Sequence, residues 1–371
     1  MSGLTVVQVL PALDAGGVER STLEIAAALV AAGHRARVVS AGGRLVPDLL
    51  AAGAEHHRLD IGRKSPITLF RHRPLRRLIA DADIVHARSR LPAWLAWWAL
   101  AGLRPRPQFV TTIHGLNSPS RYSRILTQGQ PSICVSETVR RHVLDHYHDL
   151  DPDRLVVIPR GIDPNAFPRC PDPPLAVRWR LAGSGSPISL PFPPNSRCLL
   201  LPARATRLKG HRFAIDLLCG LRRHGLDVHL AMPGAVQAGR ERYLIELRRQ
   251  AAEAGVGDRL HPLPPSSAMA TWYAASDLVL QLSERPEAFG RTVLEALATG
   301  RPVVGWAQGG VGELLAELQP RGAVPPFDRD ALLARVIDVL AEPGPGPVTI
   351  PYTLARMQDR TLELYARLCH H

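Results

Sequence analysis

The sequence predicts an α/β fold made of two doubly wound, Rossmann-like domains that face each other across a cleft. Short β-branched runs alternate with stretches of helical period, which is typical of parallel sheets covered by helices. A segment rich in proline, glycine and serine, residues 164–194, interrupts this alternation, which then restarts. The chain has 371 residues. That length is too great for one ordinary domain but suits two of roughly 150 to 200 residues each.

The first half contains six predicted strands and a clear helix. The strands are Thr5–Leu10, Ala36–Ser40, Ile84–Ala87, Phe109–Ile113, Ser132–Val135 and Val156–Ile158. A helix is predicted over Ser21–Ala32, because apolar residues recur there at helical spacing. Gly33 follows it, as expected of a glycine at the carboxyl end of a helix.

The second half repeats the pattern. Its predicted strands are Cys198–Pro202, Val228–Ala231, Leu278–Leu282 and Pro302–Val304. Helices are predicted at Leu175–Leu181 and, amphipathic and close to the end, at Leu354–Leu368. We therefore predict a first domain (1–168), a linker (169–196), a second domain (197–352) and a C-terminal helix (353–371). We expect that helix to pack back toward the first domain.

Composition excludes several classes of protein. With 46% hydrophobic and 21% charged residues, the chain resembles a packed globular protein and not a disordered one. The five cysteines form no C-x-x-C pair, which argues against a disulfide framework and a structural zinc site. The longest apolar stretch, Leu91–Leu103, is too short to span a bilayer, and no leader peptide is recognisable. We predict a cytoplasmic protein.

The net charge of +12 is concentrated in the first domain. Residues 1–170 contain 22 lysines and arginines against 14 aspartates and glutamates, a net charge of +8. Such a domain suits an anionic substrate or an anionic membrane surface. No recognised nucleic-acid-binding module occurs, so we expect no nucleic acid as a partner.

The most informative segment is Pro286–Ala296. Glu287 precedes a predicted helix that begins near Gly290, and Glu295 lies about one turn inside that helix. Free backbone N–H groups around Phe289–Thr292, at the positive end of the helix dipole, form an anion site between the two carboxylates. A ligand with hydroxyls at both ends and a pyrophosphate between them fits this pattern, as in a nucleotide sugar. The alternative is that Glu287 is a solvated loop acid and Glu295 a helix-surface residue, since a bare pair of glutamates at this spacing is weak evidence.

A second candidate segment is Ala203–Gly210, which follows the first strand of the second domain. Arg204 offers a planar fork and Lys209 a compact charge to one diphosphate. Both would neutralise charge that develops on a departing nucleotide diphosphate. The alternative is a basic surface loop in an arginine-rich protein, and it stays open.

Two features of the first domain also lie at the carboxyl ends of predicted strands. Gly16 and Gly17 follow the first strand and let the backbone approach a ligand closely. This pair is not the G-x-G-x-x-G dinucleotide fingerprint. His114 follows the strand Phe109–Ile113, where it can hydrogen-bond a ligand hydroxyl or support a reacting centre.

Two D-x-D spacings could suggest a metal–diphosphate site. Asp83, however, precedes a predicted buried strand, and Asp151-Pro152-Asp153 is typical of a turn. We therefore predict structural roles for both spacings, no essential metal and no cofactor.

Six motifs in order make the chain resemble the retaining glycosyltransferases of the GT-B type, specifically family 4. They are Gly16–Arg20, His114-Gly115, Arg160–Asp163, Arg204–Gly210, the Glu287/Glu295 segment and Gly309–Glu313. The resemblance covers nearly the whole chain. It implies that the first domain receives a glycan or lipid-linked acceptor, that the second binds a nucleotide-diphosphate sugar, with UDP favoured, and that no enzyme nucleophile is needed.

The resemblance also implies roles for individual residues. Gly16 and Gly17 would accommodate the donor diphosphate, and Arg204 with Lys209 would clamp it. Glu287 would contact the sugar hydroxyls, Glu295 the ribose, and His114 would lie beside the donor sugar. The implied catalytic residues are therefore Glu287, His114, Arg204 and Lys209. The implied donor-binding residues are Gly16, Gly17, Arg204, Lys209, Glu287, Ala288, Phe289, Gly290, Arg291, Thr292 and Glu295.

The chain departs from the family pattern at three positions. Ala288 and Ala203 stand where glycine is common, and Arg160 stands where asparagine is usual. Alternative functions remain open at this point: a nucleotide-sugar epimerase or phosphorylase on the same scaffold, or a non-catalytic nucleotide-sugar-binding subunit.

One further region suggests a role in lipopolysaccharide or other cell-envelope glycan assembly, with peripheral attachment to the inner face of the membrane. In Arg63–Arg77, basic residues are interleaved with the apolar residues Ile67, Leu69 and Phe70. Three tryptophans follow, which are Trp94, Trp97 and Trp98. An ordinary packed helix with a basic solvated face explains the same pattern equally well.

Overall fold

A computed structural model describes residues 3–14, 16–182, 188–344, 346–347 and 349–369. The chain divides into two compact units, residues 1–161 with 354–371, and residues 162–353. Each unit contains one parallel sheet covered by helices, so the predicted α/β class with two doubly wound sheets is confirmed.

In the part of the chain that is described, the strands are β1 (Thr5–Val9), β2 (Arg35–Ser40), β3 (Glu55–Arg58), β4 (Ile84–Ala87), β5 (Gln108–Ile113), β6 (Ser132–Cys134), β7 (Leu155–Val157), β8 (Arg197–Leu200), β9 (Val228–Pro233), β10 (Leu260–Leu263), β11 (Leu278–Gln281), β12 (Val303–Trp306) and β13 (Ala323–Val324). The helices are α1 (Gly17–Ala31), α2 (Val46–Ala51), α3 (Pro66–Leu69), α4 (His72–Leu78), α5 (Arg90–Leu100), α6 (Glu137–His146), α7 (Pro174–Ala182), α8 (His211–Arg223), α9 (Glu241–Glu253), α10 (Met269–Ala275), α11 (Arg291–Ala298), α12 (Gly309–Leu318), α13 (Arg329–Ala341) and α14 (Leu354–Cys369).

The sheet of the first unit has the strand order β3-β2-β1-β4-β5-β6-β7, and that of the second unit β10-β9-β8-β11-β12-β13. Every strand predicted from the sequence is present, with its ends shifted by a residue or two. The prediction missed β3, β10 and β13. All three are edge strands, and edge strands lack the continuous apolar run that marks a strand buried on both faces.

The first helix begins earlier than predicted, at Gly17, and ends at Ala31. Gly33 then adopts φ of +78°, a left-handed conformation that terminates the helix as expected. Helix α14 contributes Leu364 and Tyr365 to the core of the first unit. The Tyr365 hydroxyl is hydrogen-bonded to the buried ring of His86 on β4, which ties this helix to the sheet.

The described part of the expected linker 169–196 belongs to the second unit. It contains α7, which confirms the predicted helix at Leu175–Leu181. Arg178 of α7 is buried and forms an ion pair with Asp277 at 2.8 Å. Its guanidinium also donates hydrogen bonds to the carbonyls of Ala275, at 2.8 Å, and Pro194, at 2.9 Å. A buried charge with this many partners anchors the segment to the unit.

The two D-x-D spacings have the structural roles that were predicted. Asp81 forms an ion pair with Arg37 at 2.8 Å, and Asp83 accepts a hydrogen bond from the backbone of Thr5 at 2.7 Å. Asp151 caps a short 3-10 turn through the backbone N–H of Asp153, at 3.0 Å. Among the described helices, none has the length and hydropathy needed to cross a membrane.

Arg178→Ala is expected to destabilise the second unit by about 3–5 kcal/mol, because it leaves the mostly buried Asp277 carboxylate without its cation. Urea unfolding followed by circular dichroism measures this change. The matched control is Arg180→Ala on the same helix, which removes an exposed ion pair with Asp172 and should cost less than about 1 kcal/mol. Equal losses in the two variants would contradict the anchoring role of Arg178.

Candidate functional site

The strand order of the second unit creates a crevice between β8 and β11. From β8 the chain proceeds outward to β9 and β10, whereas from β11 it proceeds to β12 and β13 on the other side. Neighbouring loops therefore diverge at the carboxyl ends of β8 and β11, and open α/β sheets bind their ligands at such a switch point. The two loops are residues 201–210 and 282–290, which contain most of the predicted donor-binding residues.

These two loops are in close contact with each other. Gly210 has φ of +71° and precedes α8. A Cβ atom at this position would lie 1.9 Å from the carbonyl oxygen of Leu282, so only glycine fits. The backbone N–H of Glu284 donates to the carbonyl of Leu208 at 2.9 Å. These contacts hold Lys209, the residue before Gly210, against the loop that carries Glu287.

Lys209 and Glu287 form an ion pair in which Nζ donates to Oε1. Ser283 donates its hydroxyl proton to the same oxygen at 2.5 Å, and Gln281 donates from its amide to Oε2 at 3.4 Å. Gln308 in turn donates to the carbonyl of Ser283 at 2.9 Å. A carboxylate held by three donors has a fixed orientation at the mouth of the crevice.

Glu287 is also held through its backbone, by the start of α12. The N–H of Gly310 donates to the Glu287 carbonyl at 2.7 Å. A Cβ atom on Gly309, where φ is +59°, would lie 2.6 Å from that same carbonyl oxygen. The glycines of the Gly309–Glu313 motif thus allow α12 to pack directly against the backbone of Glu287.

Helix α11 begins where the sequence predicts. Its N-cap, Gly290, has φ of +119° and no side chain caps the helix, although the N–H of Val293 donates to the Gly290 carbonyl at 3.0 Å. Phe289 is buried beside this start, whereas Ala288, Arg291 and Thr292 are partly accessible. Such a helix start suits an anion.

Glu295 lies one turn into α11 and points toward two groups. Tyr273 donates a hydrogen bond from its hydroxyl to Oε2 at 2.8 Å, and Arg291 lies 3.6 Å from Oε1. Burial, reinforced by the negative charge of Glu295, raises the pKa of the Tyr273 hydroxyl well above its ordinary value. Tyr273 therefore remains protonated and keeps the carboxylate in place.

Arg204 differs from Lys209 in its surroundings. Its side chain is exposed, and no carboxylate of a described residue lies within ion-pair distance of it. The structure brings together Lys209 and Glu287, and separately Glu295 and Arg291. Arg204 lies on the same loop as Lys209 and is available to a ligand.

The first unit has its own switch point, between β1 and β4. Gly16 is the N-cap of α1, directly after the loop that follows β1, and its carbonyl accepts a hydrogen bond from Arg20 at 3.1 Å. A Cβ atom on Gly17 would have nothing within 4 Å. The space beside Gly17 is therefore open, whereas a Cβ atom on Gly16 would lie 2.5 Å from the carboxylate of Glu19.

His114 follows β5 and lines a pocket of about 350 Å³ in the first unit. Its Nδ1 is hydrogen-bonded to the guanidinium of Arg160, so Nδ1 accepts and Nε2 carries the proton. Burial, followed by the charges of Arg160 and Arg88, holds the pKa of His114 well below its ordinary value. The ring is therefore neutral, and its buried Nε2–H has no partner among the described residues.

Four residues that orient the two glutamates were not predicted from the sequence; they are Gln281, Ser283, Gln308 and Tyr273. Arg160 was noted as a departure from the family pattern, but its contact with His114 was not predicted. Gln281 is polar although it ends a buried strand, and this contrast could have indicated a site residue from the sequence alone. Among the described residues, no group of three or more His, Cys, Asp or Glu side chains is arranged to hold a metal ion.

Both halves of the chain match known protein families. Residues 15–166 match the family described as Glycosyltransferase Family 4, and residues 187–351 match Glycosyl transferases group 1. A D-inositol 3-phosphate glycosyltransferase of Jonesia denitrificans is 28% identical over 69% of this chain. The match spans 63% of that relative, which is less than two thirds of its length.

Solved structures extend the similarity to the full chain. A glycosyltransferase from Rickettsia africae is 26% identical, with a TM-score of 0.85 over 99% of each chain. HepE of Anabaena, solved with UDP and glucose, has the same fold at 18% identity, with a TM-score of 0.81 over 98% of this chain and 100% of its own. The two family matches together cover most of the sequence, and they agree with its motifs and its fold. The chain belongs to glycosyltransferase family 4, of the GT-B type.

Proposed function

We propose that this protein transfers a sugar from a nucleotide-diphosphate sugar to the hydroxyl of an acceptor, with retention of the anomeric configuration. The observation that carries the proposal is the arrangement at the crevice between β8 and β11. There, an oriented carboxylate, a lysine, an available arginine and an open helix start lie on two loops that contact each other. These are the groups that a diphosphate with a sugar attached requires.

In the proposed complex, the diphosphate lies at the start of α11 and is clamped by Arg204 and Lys209. Lys209 gives up part of its contact with Glu287, which frees that carboxylate to accept hydrogen bonds from the sugar hydroxyls. Glu295, held by Tyr273, accepts hydrogen bonds from the ribose. The ion pair between Lys209 and Glu287 thus keeps both groups in position before the donor binds.

The proposed reaction breaks the bond between the anomeric carbon and the diphosphate oxygen and forms a bond from that carbon to the acceptor oxygen. The acceptor hydroxyl proton passes to the departing diphosphate oxygen on the same face of the sugar. Arg204 and Lys209 stabilise the negative charge that develops on the leaving group. No protein nucleophile, metal ion or cofactor takes part.

UDP is the favoured nucleotide of the donor, and it is the nucleotide bound in the solved HepE complex. The favoured acceptor is a glycan or a lipid-linked glycan of the cell envelope, such as a lipopolysaccharide core. In support of this, a basic and apolar surface lies on the first unit. Its exposed apolar residues are Ile67, Leu69, Phe70 and Trp98. The exposed arginines around α3 and α4 give the surface a charge that complements anionic lipids.

Lys209→Ala and Glu287→Ala are each expected to lower kcat/KM by more than about tenfold, a loss of about 1.4 kcal/mol or more in transition-state stabilisation. Lys209→Ala removes a cation that the leaving diphosphate needs, and Glu287→Ala removes the acceptor of sugar hydrogen bonds. Release of nucleotide diphosphate from donors presented with envelope glycan acceptors measures the rate. Arg207→Ala is the matched control, because Arg207 lies on the same loop but is exposed and paired with Glu246. Unchanged rates in both site variants would argue strongly against the proposed donor site.

The product of an α-configured UDP-sugar is expected to be α-linked, because the departing diphosphate accepts the proton on the face from which it leaves. The proton coupling constant at the anomeric carbon, measured by NMR, reports the linkage directly. A β-linked product would overturn the retaining mechanism. Conversion of the sugar with no acceptor present would instead identify an epimerase, and donor binding without turnover would identify a non-catalytic subunit.

Ile67→Asp with Phe70→Asp is expected to abolish sedimentation with anionic liposomes at low salt, because these two side chains are 69% and 63% exposed and would enter the bilayer interface. Leu50→Asp is the matched control, since Leu50 is also exposed on the first unit but lies on α2. Wild-type protein that stays in the supernatant at low salt would remove the membrane part of the proposal.

A further inference from the structure

The pocket beside His114 in the first unit contains an unusual excess of positive charge. Three basic residues line it: Lys64, Arg88 and Arg90. None of the described residues that line the pocket is an aspartate or a glutamate. The pocket lies at the carboxyl ends of β1, β4 and β5, where the switch point of this sheet is located.

Arg88 is the most informative of the three. It is only 3% exposed, and its guanidinium donates to neutral partners, to the Ser21 hydroxyl at 3.2 Å and to the Gln8 side-chain carbonyl. Its buried Nε has no hydrogen-bond partner in the described part of the chain. No carboxylate of a described residue lies within ion-pair distance of this guanidinium. Burial lowers its pKa, an effect that Tyr365 and the more distant carboxylate of Glu24 offset only in part. A buried charge without a direct ion-pair partner is costly, and an anion bound in the pocket would offset that cost.

The start of α5 reinforces the charge. Ser89, the N-cap, and Arg90 and Leu91, the first two helical residues, all line the pocket. The Ser89 side chain does not cap the helix, so the N–H groups of Arg90 and Leu91 remain available, while Pro92 has none. Arg90 is partly buried and stacks on the ring of Tyr122 at 5.4 Å, which fixes its direction. His114 adds a further unpartnered donor, the buried Nε2–H.

We propose that this pocket binds a phosphate group carried by the sugar acceptor, so that the acceptor is a phosphorylated sugar, polyol or lipid headgroup. The inference rests on the proposed glycosyltransferase function and specifies its acceptor. Donors of several kinds surround the pocket, namely an ammonium group, guanidinium groups, a helix start and an imidazole N–H. A tetrahedral dianion satisfies such a set better than a planar carboxylate does. A pocket of about 350 Å³ also leaves room for the ring that bears the phosphate.

The donor diphosphate is a less suitable occupant of this pocket. Arg204, Lys209 and the start of α11 already provide cations and N–H groups for a diphosphate in the second unit. Both occupants contain phosphate, so the experiment must separate an acceptor phosphate from a donor phosphate.

The test is a thermal-shift titration of the full chain with inorganic phosphate in the presence of saturating UDP, at an ionic strength matched with chloride. UDP occupies the donor site, so any further shift reports a second phosphate site. We expect phosphate to raise Tm by about 2–4 °C in the wild type. The variant Lys64→Ala with Arg90→Gln should lower the apparent phosphate affinity at least about tenfold. Arg63→Ala, an exposed neighbour that does not line the pocket, should leave it unchanged.

Each outcome bears on the proposal. A phosphate shift that survives in the double variant, or no phosphate shift in the wild type, overturns it. A phosphate shift that appears without UDP but disappears at saturating UDP assigns the bound phosphate to the donor site and also overturns the proposal. If UDP does not raise the Tm of the wild type, that result counts against the proposed donor site. Phosphate binding can still be measured in that case. Failure of the donor site and failure of the phosphate pocket are therefore distinguishable.

The variant must be shown to fold before its phosphate affinity is interpreted. Lys64 is exposed and Arg90 is partly buried, so both substitutions leave the core intact. An unchanged circular dichroism spectrum and an unchanged UDP shift establish that the double variant is folded. With that control, turnover gives a second readout. The KM of the double variant for a phosphorylated acceptor, inositol phosphate, should rise at least about tenfold, whereas its KM for UDP-sugar should not change. A rise confined to the KM for UDP-sugar would overturn the assignment.

Discussion

The close approach of Gly210 to the carbonyl of Leu282 is the constraint on which the candidate donor site depends. The approach leaves no room for a side chain, and it joins the loop after β8 to the loop after β11. Because the two loops are in contact, Lys209 meets Glu287, and Ser283 and Gln281 complete the shell around that carboxylate. A larger residue at position 210 would separate the loops and with them the two charges. The site is thus a consequence of backbone packing at the switch point of the sheet.

Two buried arginines, Arg178 and Arg88, have their charges balanced in different ways. In the second unit the buried cation Arg178 is matched by Asp277, and the partly exposed Lys209 is matched by Glu287. In the first unit Arg88 is buried against neutral oxygens, and the neighbouring pocket has no acid among its described lining residues. Matched buried pairs serve the fold, since their charges are already neutralised. An unmatched buried charge beside a pocket is instead consistent with a ligand that supplies the opposite charge.

Much of the fold could be predicted from the sequence, and the exceptions share one physical cause. Strands buried on both faces were found because their apolar runs are continuous, whereas β3, β10 and β13 lie at sheet edges and have mixed composition. The glutamates of the site could be placed relative to α11 because the helix start has a local signature, Phe289-Gly290. Their orienting partners could not. Tyr273 lies on another helix, 22 residues before Glu295, and Gln308 follows a different strand, so only the fold brings these groups together.

Arg160, a departure from the family pattern at the sequence level, has a specific consequence for the first unit. Its guanidinium occupies Nδ1 of His114, and its positive charge helps to keep that ring neutral. An asparagine at this position could hydrogen-bond to the same nitrogen but would add no charge. The substitution therefore fixes His114 as a donor through Nε2, in the pocket that Arg88 also lines. The pocket thus holds a fixed N–H donor from His114 beside the buried guanidinium of Arg88, and both groups favour an anionic acceptor over a neutral one.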